Sequence, residues 1–124
     1  EKSNCDRATQ NVIWLRQHFD EVDWYCPGEV EMPIRWARKL NLLSVDEVLR
    51  IDCNILEHEC TATLVHRWED SHGADIEQRL TQKLEYPCLV ITESPRIYMC
   101  NKFREIMDFV SKVVEYNKEV CTHE

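Results

Sequence analysis

Glycine is nearly absent: Gly28 and Gly73 are the only two in 124 residues. Phosphate-cradling loops, dinucleotide fingerprints and nucleophile elbows need glycines close together, so none can be built here. Basic charge is also short, with 15 Lys and Arg against 23 Asp and Glu and a net charge of −8. Tracking a phosphate backbone or an anionic membrane takes clustered cations, so nucleic acid is not an expected partner. No apolar run approaches a bilayer span. No Cys-x-x-Cys pair occurs, which removes support for zinc ribbons, thioredoxin-type motifs and c-type haem attachment. No Asn-x-Ser/Thr sequon is present.

What the chain has is length for one core and an abundance of cysteine. At 124 residues and 44% apolar content, residues 1–124 read as a single domain able to bury about two-thirds of its unfolded surface. Seven cysteines are spread from end to end: Cys5, Cys26, Cys53, Cys60, Cys88, Cys100 and Cys121. Dispersed cysteines suit cross-links between elements, and cross-links imply an oxidising compartment. The expectation is a secreted, extracellular protein. Glu1 follows no charged-then-apolar leader, as in a mature form or a chain written without its leader. Because seven is odd, one thiol is left over or joins a second copy in a dimer.

Helical signals dominate the pattern. Val12, Leu15, Phe19 and Val22 recur at three- and four-residue steps and predict a helix over 6–23. Cys26-Pro27-Gly28 breaks it. Pro33 suits the first turn of a second helix carrying Ile34, Trp36, Leu40 and Leu43. Ser44 with Glu47 reads as a capping box opening a long third helix. Its stripe is Leu49, Cys53, Leu56, Cys60, Leu64 and Trp68, stopped at 70–73. A fourth helix covers 75–85. Residues 88–92 look extended but have no evident partner strand. Ser94-Pro95 then starts a fifth helix, with Cys100, Phe103, Met107, Val110 and Val114 on one face. The predicted fold is all-α, a disulfide-stapled bundle of about five helices.

Helix arithmetic proposes the connectivity. Cys53 and Cys60, seven residues apart on one helix, are roughly 10 Å apart along its axis and cannot bond each other. The legs on either side of the turn at 70–73 nearly match, which brings Cys88 level with Cys60. The turn before Ser44 returns Cys26 near Cys53. Antiparallel terminal helices then place Cys5 by Cys121 and leave Cys100 as a buried, unpaired thiol. Parallel terminal helices would instead pair Cys5 with Cys100 and leave Cys121 for another chain.

Chemistry is harder to find. His58, His66 and His72 lie near Cys53 and Cys60, but helical spacing scatters them around the axis, and zinc needs four convergent ligands. No metal and no cofactor is expected. A Cys–His nucleophile needs an exposed thiolate beside an imidazole, whereas these cysteines lie on apolar stripes; no enzyme is expected. The excess is aromatic. Trp24 and Tyr25, with Trp36 and Trp68, are candidates for partner binding, since adjacent rings cannot both face a core. In general type the chain resembles insect odorant-binding proteins, which are small, acidic, helical and disulfide-linked. It lacks their cysteine pattern, so no pocket residue carries over. The first functional expectation is a non-enzymatic binding protein recognising a protein partner, as an effector, toxin or signalling ligand does. The alternative is a carrier holding a small apolar ligand between helices. A cavity would favour the carrier.

Overall fold

Ser44 begins the best-defined local structure. Its Oγ accepts from the Glu47 backbone N–H at 3.1 Å, and its own N–H donates to Glu47 Oε1 at 3.2 Å. The box opens a helix that stops at Cys60, whose backbone is extended at φ −110°, ψ 155°. Beyond it the chain forms a strand. This computed structural model describes residues 2–26, 40, 44–67 and 72–122, with backbone alone for 2–6, 45, 72–73 and 121–122. In chain order these hold α1 (Lys2–His18), α2 (Val45–Glu59), β1 (Thr63–His66), α3 (His72–Leu84), β2 (Cys88–Ile91), a 3-10 turn (Ile97–Met99) and α4 (Phe103–Thr122).

The expectation of an all-α, five-helix bundle is therefore corrected. The described residues hold four helices and a small parallel sheet in which Thr63 faces Cys88 and His66 faces Ile91. Helix α3 is the crossover that a parallel pair requires. The extended run at 88–92 thus has a partner, and the long third helix is shorter than its stripe implied. Thr61, Thr63 and Val65 are β-branched at alternating positions, weak in helices and strong in strands. Leu56, Cys60 and Leu64 keep a helical spacing only by straddling that boundary.

The other ends also differ. Helix α1 stops at His18, not at Asp23, because the chain folds back on its last turn. Trp24 Nε1 donates to Phe19 O at 2.8 Å, and Arg16 donates to Trp24 O at 2.7 Å. Glu85 closes α3 with φ 59°, a left-handed position usually given to glycine. Ser94 and Asn101 are left-handed as well, at φ 50° and 53°, which breaks the helix expected from Ser94 and delays α4 to Phe103. The helix expected over 33–43 lies outside the described residues except for exposed Leu40.

Among the described residues the staples do not form. No disulfide joins Cys26, Cys53, Cys60, Cys88 or Cys100, so the expected Cys26–Cys53 and Cys60–Cys88 bonds, and the alternative Cys5–Cys100 bond, are overturned. Matching the two legs assumed helix beyond Cys60. In strand geometry it is Thr63, three residues on, that comes level with Cys88. The side chains of Cys5 and Cys121 lie outside the described residues. Secretion rested on these bonds and loses its structural support. Cys100 is buried at the end of the 3-10 turn, not on a helix stripe.

One apolar cluster holds the elements together. Leu15 and Phe19 of α1 meet Ile91 of β2, Ile97 and Cys100 of the turn, and Ile106, Phe109, Val110 and Val113 of α4. Ile106, Val110 and Val113 recur at helical spacing, which explains why α4 presents one stripe inward. Among the described residues no helix is long and apolar enough to cross a membrane.

Candidate functional site

The inner side of that cluster is not closed. A cavity of about 890 Å³ opens between α1, α2 and α4, at the upper end of the range typical of small-molecule sites. Each wall follows from helical spacing. Ala8, Val12 and Leu15 line it from α1, and Phe109, Val110, Val113 and Val120 from α4. On α2, Asp52, Leu56 and Glu59 stand at successive turns of one face, so that wall is apolar in the middle and acidic at both ends. Residues 60–64 and Ile97 complete the floor.

Charge around the cavity is uneven. Asp23, Asp52, Glu59 and Glu77 line it, against Arg7 and Arg67. Arg67 is already held by Asp75 at 2.6 Å and by Gln78 Oε1 at 3.1 Å. None of the ion pairs among the described residues involves Glu77. Burial, and then the like charge of Asp52, push the Glu77 carboxyl up to about 7. Burial also raises the Cys60 thiol, helped by Glu59 and Glu77, and the Cys53 thiol, helped by Glu77, Asp52 and Glu57. These thiols stay protonated and are poor nucleophiles.

A polar hub fixes the floor. Asn11 is buried on α1, and its Oδ1 accepts from the Ile97 backbone N–H at 3.1 Å. That contact sets the amide's orientation. Its Nδ2 donates toward Pro95 O at 3.3 Å and lies 3.2 Å from His66 Nδ1. An amide nitrogen has only protons to offer, so Nδ1 must be the lone-pair nitrogen and the ring proton sits on Nε2. Nε2 lies 2.6 Å from Ser94 O and 3.1 Å from Glu93 O, acceptors that suit this tautomer.

Cys100 Sγ is 3.7 Å from His66 Nε2, so the hub contains the residue types of a Cys–His–Asn acyl-transfer triad. The roles are reversed. The thiol donates to Glu93 O at 2.6 Å, and the nitrogen facing it carries a proton and cannot act as base. Burial, followed by Glu93, pushes the thiol up, while Lys102 draws it down. In this state the trio clamps the 93–97 loop. Sequence reasoning missed the meeting of His66 and Cys100: they are 34 residues apart, and only strand pairing brings them together.

Two sequence candidates reach the cavity. Trp24 and Tyr25 form part of its rim, Trp24 half-buried and fixed by its indole, Tyr25 exposed. Trp36 and Trp68 lie outside the described residues. Elsewhere Tyr98, Met99, Phe103 and Met107 are exposed. Trp14 meets Phe103 edge-on there at 6.1 Å, and Phe19 lies 5.0 Å behind. Among the described residues no group of three or more His, Cys, Asp or Glu side chains could hold a metal ion. Comparison with known protein families, curated proteins and solved structures returns no match.

Proposed function

We propose that the chain is a binding protein that holds a small apolar or amphiphilic molecule in the cavity between α1, α2 and α4. The observation that carries this reading is the cavity itself: about 890 Å³ opening onto Leu15, Phe109, Val110 and Val113 of the core. Interiors pack at crystal-like density, and leaving such a volume without partners costs the lining its dispersion contacts. Burying an apolar ligand restores those contacts and removes ligand surface from water at about 25 cal/mol per Å². The hub of Asn11, His66 and the 93–97 loop supports the reading by holding the floor in place.

Filling the space tests it. Ala8 faces the cavity from α1, and Ala8→Trp should keep the circular dichroism spectrum while abolishing uptake of an environment-sensitive apolar dye. Uptake equal to that of the unsubstituted protein would show that the dye, and the proposed ligand class, do not use this space. The exposed apolar side chains of Tyr98, Met99, Phe103 and Met107 favour a second reading, recognition of a protein partner. Met99→Ser with Phe103→Ser should leave dye uptake intact, which separates the two surfaces.

A further inference from the structure

We propose that His66 is a proton-operated latch: a second proton on its ring breaks the tie between α1 and the 93–97 loop and loosens the cavity at its floor. The effect on a bound molecule rests on reading the cavity as a ligand site, while the latch itself stands on the hub. Asn11 satisfies its three partners in one orientation only. Its Oδ1 accepts from the Ile97 N–H at 3.1 Å, and its Nδ2 faces Pro95 O at 3.3 Å and His66 Nδ1 at 3.2 Å. That set requires a lone pair on Nδ1 and hence a neutral ring. An imidazolium has a proton on both nitrogens, so Nδ1–H would point at the protons of Nδ2. Turning the amide over does not help. Oδ1 would then accept from Nδ1–H, but Nδ2 would meet the Ile97 N–H and Oδ1 would meet Pro95 O. Ile97 is 1% exposed and Asn11 is buried, so water does not readily replace a lost partner.

The other side of the ring keeps its contacts. Nε2 lies 2.6 Å from Ser94 O and 3.1 Å from Glu93 O, and carbonyls accept from a neutral or a charged ring alike. The proton therefore leaves β1 joined to the loop and takes α1 away from it. Asn11, His66, Pro95 and Ile97 all line the cavity, so the contact that parts belongs to the walls that retain a ligand. Histidine ordinarily changes charge between about pH 5 and 8, which makes weak acid the trigger. Other titratable or charged groups share this space. Arg7 borders it from α1, Asp23 from the chain after α1, Asp52, Glu59 and Cys60 from α2 and its end, Glu77 from α3, and Arg67 from the end of β1. Cys100 Sγ lies 3.7 Å from Nε2, a thiol that burial and then Glu93 push up against the pull of Lys102. The Glu93 carboxylate is held by Lys102 at 3.0 Å. Of these, Glu77 is pushed up to about 7 by burial and then by Asp52, so a variant at each position is needed to tell the two titrations apart.

Titration of the full chain with N-phenyl-1-naphthylamine, an apolar dye that stays uncharged in this range, tests the latch at pH 7.5 and pH 5. Affinity should fall at least about tenfold at the lower pH. In ¹⁵N spectra the Asn11 side-chain amide and the Ile97 backbone amide should move with the same midpoint as the His66 ring. His66→Gln, which takes up no proton, should bind the dye equally at both pH values, whereas Glu77→Gln should keep the fall. Asn11→Asp should lose the fall, because a carboxylate accepts from Nδ1–H while still accepting from the Ile97 N–H; it also serves should His66→Gln not fold. If the unsubstituted protein binds the dye equally at both pH values, or if Asn11 and Ile97 stay unmoved while His66 titrates, the latch is overturned and the cavity reading stands. A fall that survives in His66→Gln and vanishes in Glu77→Gln overturns it too. If no dye binds at pH 7.5 the cavity reading fails, and the spectra still decide the latch: joint movement of the three signals upholds it and separate movement overturns it.

Discussion

Replacing Asn11 with alanine removes three hydrogen bonds from one buried side chain. The Ile97 N–H loses its acceptor, while Pro95 O and His66 Nδ1 lose a donor. Ile97 is 1% exposed, so water does not readily replace the lost partner. An ordinary hydrogen bond contributes about 1 kcal/mol net, whereas each buried group left unsatisfied costs about 1–3 kcal/mol. Two backbone orphans and a small void therefore predict a loss of about 3 kcal/mol. For a chain of this length the unfolding entropy converts that into a fall in melting temperature of roughly 10 °C. Calorimetry of Asn11→Ala reads it directly. Gln10→Ala, at the exposed neighbour on the same helix, should stay within about 0.5 kcal/mol. Long-range ¹⁵N spectra of the unsubstituted protein should find His66 protonated at Nε2. A drop of under about 3 °C, or a ring protonated at Nδ1 alone, would refute the hub as drawn.

Three further outcomes follow from the same geometry. Glu77 takes up its proton more readily folded than unfolded, so its contribution to stability is fully present below its ordinary value of 4.5 and is lost as pH rises through about 7. The loss is at most about 3 kcal/mol, and urea melts of Glu77→Gln should lack that slope and show a more stable protein at pH 8; an unchanged slope would locate the titration elsewhere. Thr81 is fully buried, with Oγ1 2.7 Å from Glu77 O and 3.0 Å from Thr63 Oγ1, so Thr81→Val should cost about 1–2 kcal/mol by denaturant melt, and a neutral result would remove its role in tying α3 to β1. Thiol titration of the denatured, unreduced chain should find at least five reactive groups, from Cys26, Cys53, Cys60, Cys88 and Cys100. In the native protein exposed Cys88 should react before buried Cys100, and an intact mass showing bonded pairs among them would contradict the fold described.

Local signals were legible in the sequence and non-local ones were not. The Ser44–Glu47 box and the helix before Tyr86-Pro87 each depend on residues within a few positions of one another. The face expected to point inward on the last helix was misplaced: Ile106, Phe109, Val110 and Val113 are buried there, and Phe103 and Met107 are exposed. The pairing of 63–66 with 88–91 depends on segments separated by a whole helix, and a single short extended run gives no hint of which stretch it will meet. The spacing of Leu56, Cys60 and Leu64 fitted a helix as well as a helix followed by a strand. Periodicity alone does not separate those cases; the β-branched Thr61, Thr63 and Val65 were the available signal. The disulfide map failed for the same reason, since it took helix geometry past Cys60. Trp24 and Tyr25 were singled out by an argument about adjacent rings, as contacts for a partner. The cavity they border was not, because the space between helices belongs to no residue.

The division of labour between hub and wall follows from how little the sheet can do. Two strands of four residues cannot by themselves fix the loop that leaves β2, and that loop must turn through left-handed Ser94 to reach Ile97 and α4. Asn11, His66 and Cys100 supply what the sheet lacks, tying α1, β1 and the turn to the carbonyls of residues 93–96. A thiol and an imidazole used in this way must hold their protons toward carbonyls, which removes them from nucleophilic chemistry. Arg67, at the end of β1, ties that strand to α3 through Asp75 and Gln78. On the ligand-binding reading proposed above, retention of an apolar body falls to the core-facing stripes of α1 and α4 that line the cavity.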